Sequence, residues 1–290
     1  MAAERECLEV QERAGETPRK ATSVSQVLQA VSEENLTPAS WIVRSAEGAT
    51  DFQIRVAADR AMREKAYALA YRVYRRCGYV NEDATGLCVS AYDAYAGTFT
   101  LLAEDPNGKE AGTISLVFDS NLGLPCNEIY REEVDALRAQ GLSLVEFTRL
   151  AIDDDAPNAR GLLFHLFALS YAFARCGGGC TDMLIEVNPR HVPYYKKILR
   201  FEQVGPERAC PRVKGAPAVL MRMDFSKVEA ELSDGFNTGR DRKGKRLHAY
   251  PFSQREEREV VNLINGQHRT MSFADARFFN ISRSTRPVMA

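Results

Sequence analysis

The sequence predicts an α/β fold of the α+β kind, with one domain over residues 51–226 and an extension on either side. Three observations carry that reading. The apolar run Met183-Leu184-Ile185-Glu186-Val187 ends in Asn188-Pro189, and an aromatic and basic segment then leads into Phe201-Glu202-Gln203-Val204-Gly205, a strand, helix and strand in series. Two β-rich runs, Thr98–Glu104 and Ala111–Phe118, are joined by Asp105-Pro106-Asn107-Gly108, a strong turn signal. The most apolar stretch, Arg160–Cys176, reads as a buried helix closed by the glycines at 177–179.

Taken in order, residues 1–50 are rich in Glu, Ser, Thr and Ala, and Trp41-Ile42-Val43 is their one apolar knot, so order is expected from Phe52 onward. Phe52–Val56 alternates as a short strand. A helix follows from Asp59, which can cap it, to Arg76; Met62, Ala66, Leu69 and Val73 recur at helical spacing, and Gly78 ends it. After the hairpin, Glu128–Ala139 is a polar helix. Leu144–Ile152 is β-rich and is broken by Asp153-Asp154-Asp155-Ala156-Pro157. Thr181–Val187, His191–Leu199, Glu202–Val204 and Ala218–Phe225 complete the domain as strand, helix, strand and strand. Residues 227–250 read as a basic linker, and 251–290 as a short helical appendage with starts at Ser253-x-x-Glu256 and Ser272.

Composition excludes several classes. A hydrophobic content of 45% with a net charge of −1 is that of a soluble globular chain and gives no reason to expect nucleic acid. Residues 226–290 hold 12 Lys+Arg against 8 Asp+Glu, so the C-terminal part is +4 and the rest −5. The N-terminus lacks the apolar core of a signal peptide, and no segment approaches the roughly 18–20 apolar residues that span a membrane. Seven cysteines without regular spacing are read as reduced thiols, consistent with a cytoplasmic location.

Several residues are chemically suggestive and each has an ordinary reading. Glu146 and Arg149, on the run Leu144–Ile152, read alone as a surface Glu and a salt-bridged Arg. Asp93 in Ala91-Tyr92-Asp93-Ala94-Tyr95 reads as a loop residue bonding its own backbone. Tyr194 and Tyr195 read as ring cover for the sheet, His191 as a helix cap and His165 as a core histidine. Cys176 and Cys180 have neither CxxC spacing nor histidine partners beyond His165, so no metal site is assigned.

Read together, the words NPRH…YY…RFE..G and KGAPAVLMRMDF in residues 188–225 resemble the long-chain N-acyl amino acid synthases. Those are GNAT-superfamily acyltransferases related to the N-acyl homoserine lactone synthases. The likeness spans roughly 52–225. It implies a mixed, mostly antiparallel sheet flanked by helices, with Leu144–Ile152 and Thr181–Val187 as parallel strands that splay apart. It also implies transfer of a long fatty acyl group to the α-amine of an amino acid. Glu146-Phe147-Thr148-Arg149 resembles the E-x-S-R-F word of the lactone synthases. That likeness makes Glu146 the base and Arg149 its anchor, with Asp93 organising the amine site and Tyr195 protonating the leaving thiolate. By the same resemblance Phe147, Thr148 and Asn188 face the acyl-pantetheine arm, and Arg160 and Gly161 its phosphate at a helix N-terminus. Leu116, Phe118, Phe164 and Phe167, with Phe147, are candidates to line the acyl chain.

Departures narrow the reading. The lactone synthases carry arginines where this chain has Ala70 and Ser115, so an amino acid suits better as acceptor. Leu163 stands where coenzyme A users keep a small residue, which favours acyl carrier protein over acyl-coenzyme A as donor, with no tightly bound cofactor. Arg160, Arg190, Lys196, Lys197 and the basic tail would suit that acidic partner, and a lipid product adds membrane-surface contact without a spanning segment. The alternatives are a homoserine lactone synthase-like autoinducer synthase, a coenzyme A-dependent acetyltransferase and a non-catalytic acyl-binding sensory module.

Overall fold

The computed structural model describes residues 41–44, 51–230 and 254–281. Their elements are β1 (Trp41–Arg44), β2 (Asp51–Val56), α1 (Arg60–Arg76), β3 (Thr98–Glu104), β4 (Glu110–Phe118), α2 (Asn127–Ala139), β5 (Leu144–Ile152), α3 (Ala159–Ala172), β6 (Asp182–Val187), α4 (Val192–Leu199), β7 (Glu202–Gln203), β8 (Arg208–Cys210), β9 (Ala216–Asp224), α5 (Gln254–Gln267) and α6 (Phe273–Phe278). The strands lie in the order β1-β2-β3-β4-β5-β6-β9-β7, with β8 pairing off β9. Every described pairing is antiparallel except β5 with β6. This is the mixed, mostly antiparallel sheet that the sequence predicts.

Local chemistry explains the element ends. The Asp59 side chain accepts from the Met62 N–H at 2.9 Å and caps α1, and Gly78, at φ +76°, turns the chain away after it. Asp105 Oδ1 accepts from the Asn107 and Lys109 N–H groups and ties the β3–β4 turn. Order begins earlier than the sequence suggests, because the knot Trp41–Val43 adds an edge strand antiparallel to β2. The short strand β8 also went unforeseen; three residues carry too little pattern to be read.

Period-2 alternation gives the sheet two faces. On one, α1 packs Leu69, Ala70 and Val73 against Ala151, and α2 packs Tyr130 and Val134 against Val117, Leu144, Leu184 and Leu220. On the other, Leu162, Leu166 and Phe167 of α3 and Tyr195 and Leu199 of α4 meet Ile114, Phe147, Ile185 and Met221. Gly205 sits where a Cβ would come within 2.8 Å of both Leu220 and the Tyr130 ring, which accounts for the glycine after the RFE word.

The C-terminal helices pack on this domain. Ile264 of α5 joins the core of the α3 face, while Met271, Ala276 and Phe279 close over Tyr67 of α1. Ser272 caps α6 by accepting from the Asp275 N–H at 3.0 Å. Ser253, the other expected cap, lies outside the described residues, as do most of residues 1–50 and of the linker. No helix among the described residues is long and apolar enough to cross a membrane. Cys88, Cys126, Cys176, Cys180 and Cys210 are free thiols, whereas Cys77 is disulfide-bonded, so the expectation of reduced thiols fails there.

Candidate active site

The central feature is a gap in the sheet. Pairing of β5 with β6 is confined to Leu144↔Asp182, Val145↔Met183 and Glu146↔Leu184. Beyond it β5 continues along β4 to Ile152, and β6 continues along β9 to Val187. From Phe147 and Ile185 onward, the strand edges that face each other therefore lack ladder partners there. Such backbone N–H groups are fixed donors aimed into the opening. A cavity of about 930 Å³ fills the gap and reaches both faces of the sheet.

The α1/α2 face of the gap is charged. Glu146 is 1% exposed, and its Oε2 accepts from the Cys126 N–H at 2.7 Å. Burial pushes its carboxyl up to about 8, with the neighbouring Glu186 carboxylate adding to the rise and Arg212 opposing it. Glu186, two residues past the partner of Glu146 on β6, shares this face and is raised in the same way by burial. Arg212, in the turn after β8, pairs with Glu186 and lies 2.8 Å from Glu128. All four line the cavity.

Arg149 owes its place to a bulge. Thr113 pairs with Ala151 but Ser115 with Thr148, so β5 holds one extra residue, and Arg149 takes the left-handed conformation at φ 51°. Simple alternation would put Arg149 on the face of Phe147. The bulge turns it to the α1 face, where its two terminal nitrogens grip the Asp93 carboxylate. It also donates to Ser115 Oγ at 3.0 Å and lies over the Tyr67 ring. Asp93 in addition accepts from the Ser90 N–H at 2.7 Å, and its side chain is fully buried. Ser115 thus completes this brace. Ala70 packs against β5.

The α3/α4 face is apolar. Phe147 lies 6.0 Å from Phe167, and Phe167 lies 6.4 Å from Tyr195, by ring centroids. These rings, Leu163 and Ile185 line the cavity, with Thr148, Asn188 and His191 also at its wall. Burial, aided by Tyr194, pushes the Tyr195 phenol up, so it is protonated at neutral pH and can donate. Burial and then Arg190 lower His191 to about 4, leaving a neutral imidazole there. No cap bond is made by the His191 side chain; Asn188 caps the turn, accepting from the Arg190 N–H at 3.2 Å.

At the start of α3, left-handed Asn158 accepts from the Gly161 N–H at 3.2 Å, and a Cβ on Gly161 would collide with that side chain. Arg160 stands beside Tyr194, whose phenol it acts to lower against the rise that burial causes.

Of the residues singled out in the sequence, Glu146, Phe147, Thr148, Arg149, Asn188 and Tyr195 meet at the cavity wall. Asp93 stands behind Arg149, and Arg160 and Gly161 lie at the adjoining helix end. Three expected acyl contacts are absent from the wall. Leu116 is sealed in the core, Phe118 packs with Phe99 and Phe173, and Phe164 meets the His165 ring edge-on. Glu186, Arg212 and Tyr74, which also line the cavity, were missed. Glu186 did carry a signal, as the one charge inside the apolar run 183–187.

A splayed parallel pair, a buried carboxylate on one side and a phenol on the other define an acyltransferase of the GNAT-like class. Residues 65–224 match the family model "N-acyl amino acid synthase FeeM", and the chain belongs to that family. The chain is similar to the solved structure of FeeM, an N-acyl amino acid synthase from uncultured soil microbes, at 23% identity and a TM-score of 0.51, over 60% of this chain and 90% of that one. It is also similar to the AHL synthase LasI, at 16% identity and a TM-score of 0.46, over 60% and 89%. The CoA-dependent acyl-homoserine lactone synthase BjaI matches at 13% identity and a TM-score of 0.44, over 79% and 99%. No curated protein sequence matches the chain.

Proposed function

We propose that residues 51–226 move a long-chain fatty acyl group from the thioester of acyl carrier protein, or of coenzyme A, to the α-amine of an amino acid. The observation that carries the reading is the buried Glu146 at the point where β5 and β6 part. It is a buried carboxyl raised to about 8 by burial and then by the neighbouring Glu186, hydrogen-bonded at its back by Cys126 and facing a 930 Å³ cavity. A carboxylate of that basicity takes a proton from an ammonium group far more readily than an exposed glutamate does.

In this reading the acyl-pantetheine arm enters on the α3/α4 face, against Phe147, Phe167 and Leu163. Unpaired N–H groups along the gap hold the thioester carbonyl. The amine approaches from the α1/α2 face and gives its excess proton to Glu146. It then attacks, and the C–N bond forms to give a tetrahedral adduct. On its collapse the C–S bond breaks, the Tyr195 hydroxyl protonates the departing thiolate and the second nitrogen proton restores the Tyr195 phenol. Arg149 and Asp93 hold β5 in its bulged shape beneath the reacting groups. Attack is direct, because burial, with Glu146 and Glu186 adding, keeps the Cys126 thiol protonated, so it makes a poor nucleophile.

Acyl carrier protein is the preferred donor. Lys196 and Lys197 are exposed on α4, and Arg160 stands near the α3 N-terminus, which together form a basic rim for an acidic partner. The reading places the chain in the cytoplasm, with membrane-surface contact for its product.

The test is mass spectrometry of lipid extracts from bacteria expressing the chain, against an empty vector. New ions at the mass of an amino acid plus a fatty acyl group, lost in Glu146→Ala, are expected. Their absence from a soluble, folded protein would favour an acyl-binding module without turnover.

A further inference from the structure

We propose that Glu186 is the anchor that holds the acceptor's ammonium group beside Glu146, and so sets the enzyme's affinity for its amine substrate. The inference rests on the amino-acid acylation reading above and extends it to a residue which that reading leaves unused. Two independent observations carry it. Glu186 and Glu146 lie on the same face of adjacent strands, one register step apart, and both line the cavity. The Glu186 side chain is 10% exposed, and its Oε1 is buried with no hydrogen-bond partner among the described residues, while Arg212 takes the other oxygen. A buried carboxylate oxygen left unmatched is costly, and a cationic N–H donor satisfies it best.

The surroundings suit a cation. Glu146 faces Glu186 from β5, Glu128 and Cys126 from the start of α2, Arg212 and Cys210 from the β8 turn. Among the described residues that face this point, three carboxyl groups are opposed by the guanidinium of Arg212, so once Glu146 is ionised a ligand bearing one positive charge improves the balance. The ammonium donates one hydrogen bond to Glu186 Oε1 and passes its excess proton to Glu146. The free amine then attacks the thioester carbon. As the tetrahedral adduct collapses the C–S bond breaks, Tyr195 protonates the thiolate, and the second nitrogen proton returns to the Tyr195 phenolate, so that Glu146 ends with the one excess proton and charge and atoms balance. Glu186 is a positioning residue in this scheme, and Glu146 is the catalytic one.

The experiment compares wild type, Glu186→Gln and Glu186→Asp in steady-state acylation with palmitoyl-acyl carrier protein, and in parallel palmitoyl-coenzyme A, and each of the twenty standard amino acids. A calorimetric unfolding scan in the presence and absence of n-butylamine runs alongside. Glu186→Gln is expected to raise the acceptor KM at least about tenfold, the size of a charge-assisted hydrogen bond, and to leave the donor KM unchanged. Glu186→Asp, which keeps the charge, is expected to restore part of that loss. Butylamine should raise the unfolding temperature of wild type and not that of Glu186→Gln. Equal changes in both KM values, or none, or equal protection of both proteins by butylamine, would overturn the proposal. A wild type that acylates none of the amino acids would instead overturn the function reading, and the butylamine arm would still decide the role of Glu186.

Discussion

The two faces of the gap between β5 and β6 carry opposite chemistry. The α1/α2 face presents Glu146, Glu186, Glu128 and Arg212; the α3/α4 face presents Phe147, Phe167, Leu163 and Tyr195. Side chains of neighbouring residues on one strand, Glu146 and Phe147, fall on different sides because alternation sends them there. The gap then lets a polar nucleophile and an apolar electrophile meet edge on, without either crossing the other's surroundings. A second contrast runs along β5 itself. Arg149 is matched on every side by Asp93, Ser115 and the Cys88 carbonyl, whereas Glu146, three residues earlier, accepts from the Cys126 backbone N–H and faces the Glu186 carboxylate, which Arg212 only partly offsets. The satisfied charge braces the strand and the unsatisfied one is available for chemistry.

The largest effect that tests this contrast is expected at Glu146. Glu146→Gln keeps the shape and can still accept from Cys126, so the fold should survive while turnover falls by about 10²–10⁴-fold. Single-turnover kinetics would check it; near-normal turnover would erase the distinction between the two charges. The Arg149 brace should fail differently. Asp93→Ala strands a buried guanidinium and should destabilise the protein by about 3–5 kcal/mol, measured by urea unfolding. If stability hardly changes, Asp93 belongs with the chemistry and not with the brace.

On the apolar face, Tyr195→Phe should slow turnover about tenfold, less than loss of the base, because a thiolate leaves readily even without a proton donor. Substrate KM values should hold. The pH dependence sharpens the first contrast. Glu146 must be ionised to act, so kcat should climb as pH rises through about 8. Its raised folded-state value means that the native protein binds more protons than the unfolded chain between the ordinary glutamate range and about 8. Stability should therefore fall as pH rises through that window, and Glu146→Gln should flatten the decline. Thermal unfolding across pH 5–9 would show it, with Glu186 contributing in the same direction because it too is raised. The smallest effect is expected at the start of α3. Asn158→Ala removes its cap at a cost of about 1 kcal/mol and should raise only the donor KM.

Much of this was legible in the sequence, for identifiable reasons. β5 and α1 were bounded nearly to the residue, and the start of α3 to within one, because caps, glycines and hydrophobic period agree there; the end of α3 was set four residues late, since the chain passes into a π-helical turn over Phe173–Gly177. The splay was foreseen through family resemblance, since nothing in Leu144–Ile152 or Thr181–Val187 alone says where pairing ends. The bulge at Arg149 was invisible, because a left-handed arginine leaves no compositional mark. Leu116 and Phe118 were misassigned to the acyl wall for a related reason: alternation says which face a residue takes, and not how far along that face the gap extends. Arg212 could not be found by spacing, since it reaches Glu186 from a turn 26 residues away.

The central claim is that acyl donor and amine acceptor meet through the gap from opposite faces. It is tested most directly by a crystal structure with a palmitoyl-pantetheine thioether, the unreactive analogue of the donor. The account predicts the acyl chain and pantetheine on the α3/α4 face, in contact with Phe147, Phe167 and Tyr195, with the carbonyl-equivalent carbon in the gap and Glu146 open on the far side. An acyl chain lying against Glu146, Glu186 and Arg212 would contradict it.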